Sequence, residues 1–300
     1  MMKIIKTALL CLLTSPLAMC AKSFGQTTLQ IATYNLRNAN HEDSVAGNGW
    51  DKRFPVMGEM VHFYDFDIWG TQEGKNRQLQ DLLSVLPEYS YIGVGRDDGK
   101  IAGEYSAIFY KKDKFVLLKS GDFWLSTVTD RPNKGWDAVL PRICTWGLFK
   151  EKKSGKTFYF YNLHMDHIGT VARSESSKLI LSKIKDAGVQ IPVILTGDFN
   201  VDQNSPSYHV LEDSHILHDA YGLSKVKLAN TATFNDFGRR LGTDQRIDHI
   251  FLSDAFSVKR YAILTDGYVE PSADTSERRK RGLMRYPSDH FPVTITAILK

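Results

Sequence analysis

Pro287-Ser288-Asp289-His290-Phe291-Pro292-Val293 sets an acid and an imidazole side by side, just ahead of the apolar run Val293 to Leu299. Neighbouring side chains on a strand point to opposite faces, so the pair is expected on the loop entering that strand, where both reach one cleft. Three other apolar, β-prone runs carry polar residues at or just past their ends. They are Ala32-Thr33-Tyr34-Asn35, Ile68-Trp69-Gly70-Thr71-Gln72-Glu73 and Ile194-Leu195-Thr196-Gly197-Asp198-Phe199-Asn200. These ends are expected to converge on one phosphate and one metal ion.

The residue types fit that chemistry. In Gly197-Asp198-Phe199-Asn200 the i and i+2 side chains share a direction on extended backbone. A carboxylate at Asp198 accepts a proton from water, and the Asn200 amide holds a phosphate oxygen or orients the carboxylate. An Asx-type turn that only caps the next segment is the plainer alternative. Glu73, with Asp289 near it, suits a hard divalent ion such as Mg²⁺, which takes few protein oxygens and leaves the rest to water and phosphate. Asp248, in the alternating Arg246-Ile247-Asp248-His249-Ile250-Phe251, is placed to hold the His290 imidazole in one tautomer. It reads equally well as a charged outer position of a surface strand. His164, in Asn162-Leu163-His164-Met165-Asp166-His167, is a candidate donor to a phosphate oxygen. A zinc site on His164, Asp166 and His167 is a weaker alternative, because no second His or Cys motif with zinc spacing accompanies it.

The elements that must present these residues follow from periodicity. Strands are expected at Leu29–Tyr34, Asp67–Thr71, Tyr89–Val94, Tyr105–Tyr110, Phe115–Leu118 and Pro192–Thr196, with a hairpin of Ile143–Lys150 and Thr157–Leu163. Arg246–Leu252, Ser257–Leu264 and Pro292–Leu299 supply the closing strands. Helices are expected at Arg53–Tyr64, with Phe54, Met57, Val61 and Tyr64 on one face, at Asn76–Leu86, and at Thr170–Ala187, with Val171, Leu179, Ile180 and Ile184 inward. A short helix opens at Ser205-Pro206. Arg37–Asp51 and Trp124–Leu140 read as loops. Trp50, Trp124 and Trp136 fall in expected loops, either to stack on a base, sugar or lipid headgroup or as partly buried core. Interspersed strands and helices, with no repeat or linker, point to one α/β domain of two packed sheets with helices outside.

Composition is that of a globular chain, 42% hydrophobic and 24% charged. Residues 1–25 read as a signal peptide: Lys3 and Lys6, an apolar stretch from Thr7 to Met19, and a small-residue exit near Gly25. A lipoprotein signal using Cys20 is the alternative. No later stretch approaches the roughly 20 apolar residues of a membrane span. Removal of the leader leaves Cys144 as the single cysteine, so no intrachain disulfide is expected, and lowers the net charge from +4 to +1. That balance lacks the global basic field of tight nucleic-acid binders. One local run, Arg278, Arg279, Lys280, Arg281 and Arg285, is either a solvated loop or a feature favouring an anionic substrate.

Taken in order, Asn35, Glu73, His164, Gly197-Asp198-Phe199-Asn200, Arg246-Ile247-Asp248 and Ser288-Asp289-His290 resemble the endonuclease/exonuclease/phosphatase superfamily, from Leu29 to Leu299. The resemblance implies a four-layer α-β-β-α sandwich over residues 26–300. It implies Mg²⁺ or Mn²⁺ on Glu73 with Asn35 and Asp289, and Asp198 acting on the water. It also implies Asn200, His164 and a His290–Asp248 pair on the phosphoryl group, and Arg142 as a phosphate-binding arginine. The function expected is an exported, monomeric, metal-dependent phosphoester hydrolase, nuclease-like first. Phospholipid and sugar- or inositol-phosphate hydrolysis are the rivals, with a non-catalytic phosphate-ligand-binding protein behind them.

Overall fold

The computed structural model describes residues 26–188, 190–270 and 282–300. The leader, Cys20 within it, and the basic residues Arg278 to Arg281 lie outside the described residues. Thirteen strands build two large sheets. They are β1 (Thr27–Asn35), β2 (Ile68–Gln72), β3 (Tyr89–Ile92), β4 (Ile108–Lys111), β5 (Phe115–Trp124), β6 (Ile143–Glu151), β7 (Thr157–His164), β8 (Val193–Asp198), β9 (His218–Asp219), β10 (Lys227–Leu228), β11 (Asp248–Leu252), β12 (Phe256–Ile263) and β13 (Val293–Leu299). One sheet has the order β10-β12-β13-β1-β2-β4-β3, the other β9-β11-β8-β7-β6-β5. The α-helices of five residues or more are α1 (His41–Val45), α2 (Trp50–Tyr64), α3 (Asn76–Val85), α4 (Thr170–Ala187) and α5 (Pro206–Glu212).

Alternation along the strands sorts the side chains into three apolar layers. Leu29, Ile31, Ile68, Phe158, Ile194 and Ile295 meet between the sheets. Ala32, Tyr34 and Trp69 face Met57, Val61, Leu79 and Leu82 of α2 and α3. Leu163, Leu195 and Phe251 face Ile180, Ile184 and Leu211 of α4 and α5. The result is the four-layer α-β-β-α sandwich. Cys144 lies in the last of these layers, fully buried, and burial pushes its thiol well above the ordinary range.

Several boundaries differ from the periodicity reading, each for a local reason. The inward face of α2 holds Trp50, Arg53, Met57, Met60 and Val61, while Phe54 is only partly covered, so the true stripe runs through an arginine. Val171 is 51% exposed, and α4 instead buries Ala172, Ser176 and Ser177, small residues that let it lie close. β5 continues from Leu118 to Trp124 through the polar Lys119 to Asp122, as an edge strand can. Trp50 and Trp124 are each 5% exposed, with their indole N–H groups on Asp81 and on the Arg96 carbonyl. Neither is available to stack on a ligand.

Topology brings the polar strand ends to one edge. β1 and β2 are parallel, so Asn35 and Glu73 emerge together. β7 and β8 are parallel, so His164 and Asp198 do too. β11 runs antiparallel to β8 and sets Asp248 opposite Asp198. β13 runs antiparallel to β1, which puts Asp289 and His290 beside the end of β1. Below this edge the apolar inter-sheet layer gives way to a hydrogen-bonded plug. The Asn162 Oδ1 accepts from Gln72 at 2.7 Å and Thr196 at 2.9 Å, while its amide donates to the Thr71 carbonyl at 2.8 Å. A Cβ at Gly70 would stand 2.2 Å from that Oδ1, so only glycine lets the plug close.

Candidate active site

The edge opens into a cavity of about 570 Å³. Glu73, Arg142, His164, Asp198, Asn200, Asp289 and His290 all line it. Asn35 and Asp248, the other two residues expected from sequence, stand directly behind and bond to lining side chains. Three lining residues just past strand ends have left-handed backbone: Arg37 (φ 53°), Glu73 (φ 62°) and Asn200 (φ 51°). Each lies one or two residues past a strand, so the chain turns at once and aims a side chain into the cleft. Asparagine tolerates this region, but glutamate does so at a cost of about 1–3 kcal/mol, which the packing around it must offset.

One wall is rich in oxygen. Glu73 accepts from the Asn38 N–H (3.0 Å), the Asn38 amide (3.1 Å) and the Asn35 amide (3.2 Å). Asn35 also donates to Asp198 Oδ2 at 3.0 Å, joining the two sheets. Asp289 is 3.5 Å from Arg37 Nη1, and burial, with Glu73 nearby, pushes its carboxyl up. A buried acid, a half-buried one and an amide beside them form a hard-oxygen set that fits a Mg²⁺-type ion.

Asp198, Asp248 and His290 also lie close enough to hold a cation. There, however, His290 Nδ1 is 2.9 Å from Asp248 Oδ2, so two of the three ligand atoms already satisfy each other. This arrangement fits an oriented imidazole better than a metal cage. Burial opposes charge on His290, but Asp248, with Asp198 and Asp289 near, outweighs it and holds the pKa well above the ordinary imidazole value. His290 Nε2 is left facing Asp198 Oδ2 at 3.7 Å. Burial, reinforced by Asp248, pushes the Asp198 carboxyl up to about 7.

The opposite wall is rich in nitrogen. The Asn200 amide donates to the Met165 carbonyl at 3.0 Å, which fixes its orientation, and lies 3.0 Å from His164 Nε2. His164 therefore accepts there and carries its proton on Nδ1. Burial, then Arg142 and Arg96, depress its pKa well below the ordinary value, so it stays neutral. His164 as placed steadies Asn200 rather than offering Nε2–H to a phosphate. The zinc alternative also fails geometrically. Asp166 accepts five donors, from the N–H groups of Val139, Leu140, Ile168 and Gly169 and from Arg142 Nε, and has no free lone pair aimed at the two histidines.

Sequence reasoning missed Arg53. It is fully buried and donates to four backbone carbonyls: Leu36 (2.7 Å), Pro287 (2.8 Å), Asn48 (2.8 Å) and Arg37 (3.0 Å). One guanidinium thus ties α2 to both loops that carry the oxygen wall. The signal was its i, i+4, i+7 spacing with Met57 and Met60, where a charged residue occupies an apolar slot. Asn38 and Arg37 were missed because they act from an irregular segment, and Glu104, which accepts from the Asn38 amide at 3.1 Å, because its strand is only two residues long.

The sequence profile of the Endonuclease/Exonuclease/phosphatase family matches residues 32–290, and the chain belongs to that family. Enzymes of this family hydrolyse phosphoesters with divalent metals. Among solved structures, the chain is similar to a mannosyl-6-phosphatase of Bacteroides thetaiotaomicron VPI-5482, with 53% identity, covering 90% of this chain and 99% of that one at a TM-score of 0.85. An endonuclease/exonuclease/phosphatase family protein from Bacteroides thetaiotaomicron is 52% identical, with coverages of 92% and 99% and a TM-score of 0.88. Human Nocturnin is 24% identical over 81% of this chain and 57% of its own length. The chain thus spans little more than half of that relative.

Proposed function

We propose that this protein is an exported, divalent-metal-dependent hydrolase of sugar phosphate monoesters. The carrying observation is the rim of the cavity. Arg37 pairs with Asp43 at 2.8 Å and Arg239 with Asp236 at 2.7 Å, and the faces of Phe234 and Phe237 stand beside them. The two pairs offer donors and acceptors with no net charge between them, which suits the hydroxyls of a sugar, and Arg240, over the Phe234 ring, adds one cation for its phosphate. A polynucleotide would call for unpaired cations along a track. The 53% identity to a mannosyl-6-phosphatase supports the same choice over the nuclease-like one expected from sequence. Residues 1–25, with their signal-peptide pattern, support export.

In this reading Glu73 and Asp289, with Asn35, hold the ion, which supplies positive charge to the phosphoryl oxygens. Asp198 accepts the proton of the attacking water, favoured by an affinity near neutrality. His290, kept protonated by Asp248, donates to the phosphoryl or leaving oxygen. Arg142 fixes the phosphate in line with the water, and Asn200, its amide held by Met165 and His164, shapes the wall beside it.

The test is hydrolysis with Mg²⁺ by wild type and Asp198→Asn, read as phosphate from hexose 6-phosphates, p-nitrophenol from bis-p-nitrophenyl phosphate, shortening of an RNA oligonucleotide and phosphocholine from sphingomyelin. Metal-dependent, salt-insensitive turnover of a hexose phosphate, lost in the variant, is expected. Preference for RNA, weakening with salt, would instead favour the nuclease reading suggested by Nocturnin and by the basic run 278–281.

A further inference from the structure

Arg142, Asp166 and His167 form a unit on the nitrogen wall whose third member the mechanism above leaves without a task. Asp166 holds Arg142 through Nε at 3.3 Å and, through the four N–H groups it accepts, pins the loops on either side. The next nitrogen, Arg142 Nη2, lies 2.9 Å from His167 Nδ1. A guanidinium only donates, so Nδ1 must accept. The His167 ring is then neutral, and its proton sits on Nε2. His167 is exposed on the cavity wall, with the Nε2 edge free. Arg142 Nη1 has no partner among the described residues.

We propose that His167, its tautomer fixed by Arg142, donates Nε2–H to the third terminal oxygen of a phosphate monoester and thereby sets the preference for monoesters over diesters. This rests on the sugar phosphate reading and names what enforces it. A monoester carries three unsubstituted oxygens and a charge of about −1.5 to −2 at neutral pH. A diester carries two such oxygens and one charge. Its second ester group would face this donor pair, leaving Arg142 Nη1 and an imidazole N–H without an acceptor. A site built to bond a group discriminates strongly against an analogue lacking it, because its own polar atoms are left unpaired. His167 does this without a second positive charge. Protonation at Nδ1 would break the bond to Arg142, so the neutral ring and the guanidinium act together.

The experiment compares kcat/KM for a hexose 6-phosphate and p-nitrophenyl phosphate with that for bis-p-nitrophenyl phosphate, in wild type, His167→Phe and His167→Gln. With Phe, monoester turnover should fall ~10- to 100-fold, the loss of one hydrogen bond to a charged oxygen, while diester turnover changes less than about twofold. Gln accepts from Arg142 and donates with the same amide, so it should recover most of the monoester rate. Equal losses on both substrate types would make His167 structural and overturn the proposal, as would an unchanged monoester rate. Wild-type activity on diesters alone would sink the sugar phosphate reading itself, before any variant is compared.

Discussion

Asp166 and Asp198 are the same residue, both almost fully buried, in regions that flank one cavity. Their carboxyls behave in opposite ways. Burial penalises charge on Asp166, yet the N–H groups of Gly169 and Ile168, with Arg142 and Val139, hold it down to about 2. Asp198 has the Asn200 N–H, the Asn35 amide and a distant His290, while Asp248 opposes it, so burial pushes it up to about 7. The number of donors aimed at a carboxylate, set against its depth, decides whether it is a permanent anion or a proton acceptor. The region of Asp166 is framework. The region of Asp198 is left unsatisfied, as a site for chemistry is.

The largest break in this contrast comes from Asp198→Asn. It should lower kcat/KM for the substrate by about a thousandfold, within the range of lost general-base catalysis, with circular dichroism unchanged. Asp248→Asn, which removes the charge that keeps His290 protonated, should lower it by about a hundredfold, and the basic limb of the pH–rate profile should move down towards neutrality. Asp166→Asn should leave Glu73, Asp198 and His290 in place, loosen Arg142, and lower stability at pH 7 by about 2 kcal/mol in urea unfolding, the linkage value of a carboxyl held roughly two units low. Because that pKa is depressed, its contribution is present above pH 4 and fades as pH falls towards 2, where the variant and wild type should converge. A further effect on stability has the opposite sign. Asp198 is raised, so between about pH 4 and 7 the folded state keeps a proton that the unfolded chain has released. In EDTA the Tm should therefore decline as pH rises through that window, and Mg²⁺ should restore it at pH 8. Glu73→Gln should abolish the restoration.

Much of this was legible in the chain because the site residues sit at the ends of strongly apolar strands. Asp198 follows Val193 to Gly197, and once β8 is placed next to parallel β7, His164 has nowhere else to emerge. The Asp-His pair before β13 is fixed in the same way by β1. Periodicity cannot report what happens one residue later. The left-handed turn at Glu73 and the reach of Asn38 to it depend on contacts between segments 35 residues apart. Arg53 was hidden for a different reason. A charged residue on a helix is read as outward, and only the four carbonyls waiting for it make burial favourable. The pairing of Arg142 with His167 needs the β6–β7 hairpin to be aligned before the two are neighbours at all.

The depth of Cys144 has a practical side. Its thiol is protonated and closed to reagents, and a form starting at Gln26 carries no other cysteine. A cysteine placed at the exposed Leu241 would then be the one reactive thiol, at the end of the segment that carries Phe234, Phe237 and Arg240. A fluorophore there would report whether that segment closes over a bound sugar phosphate, against a silent background.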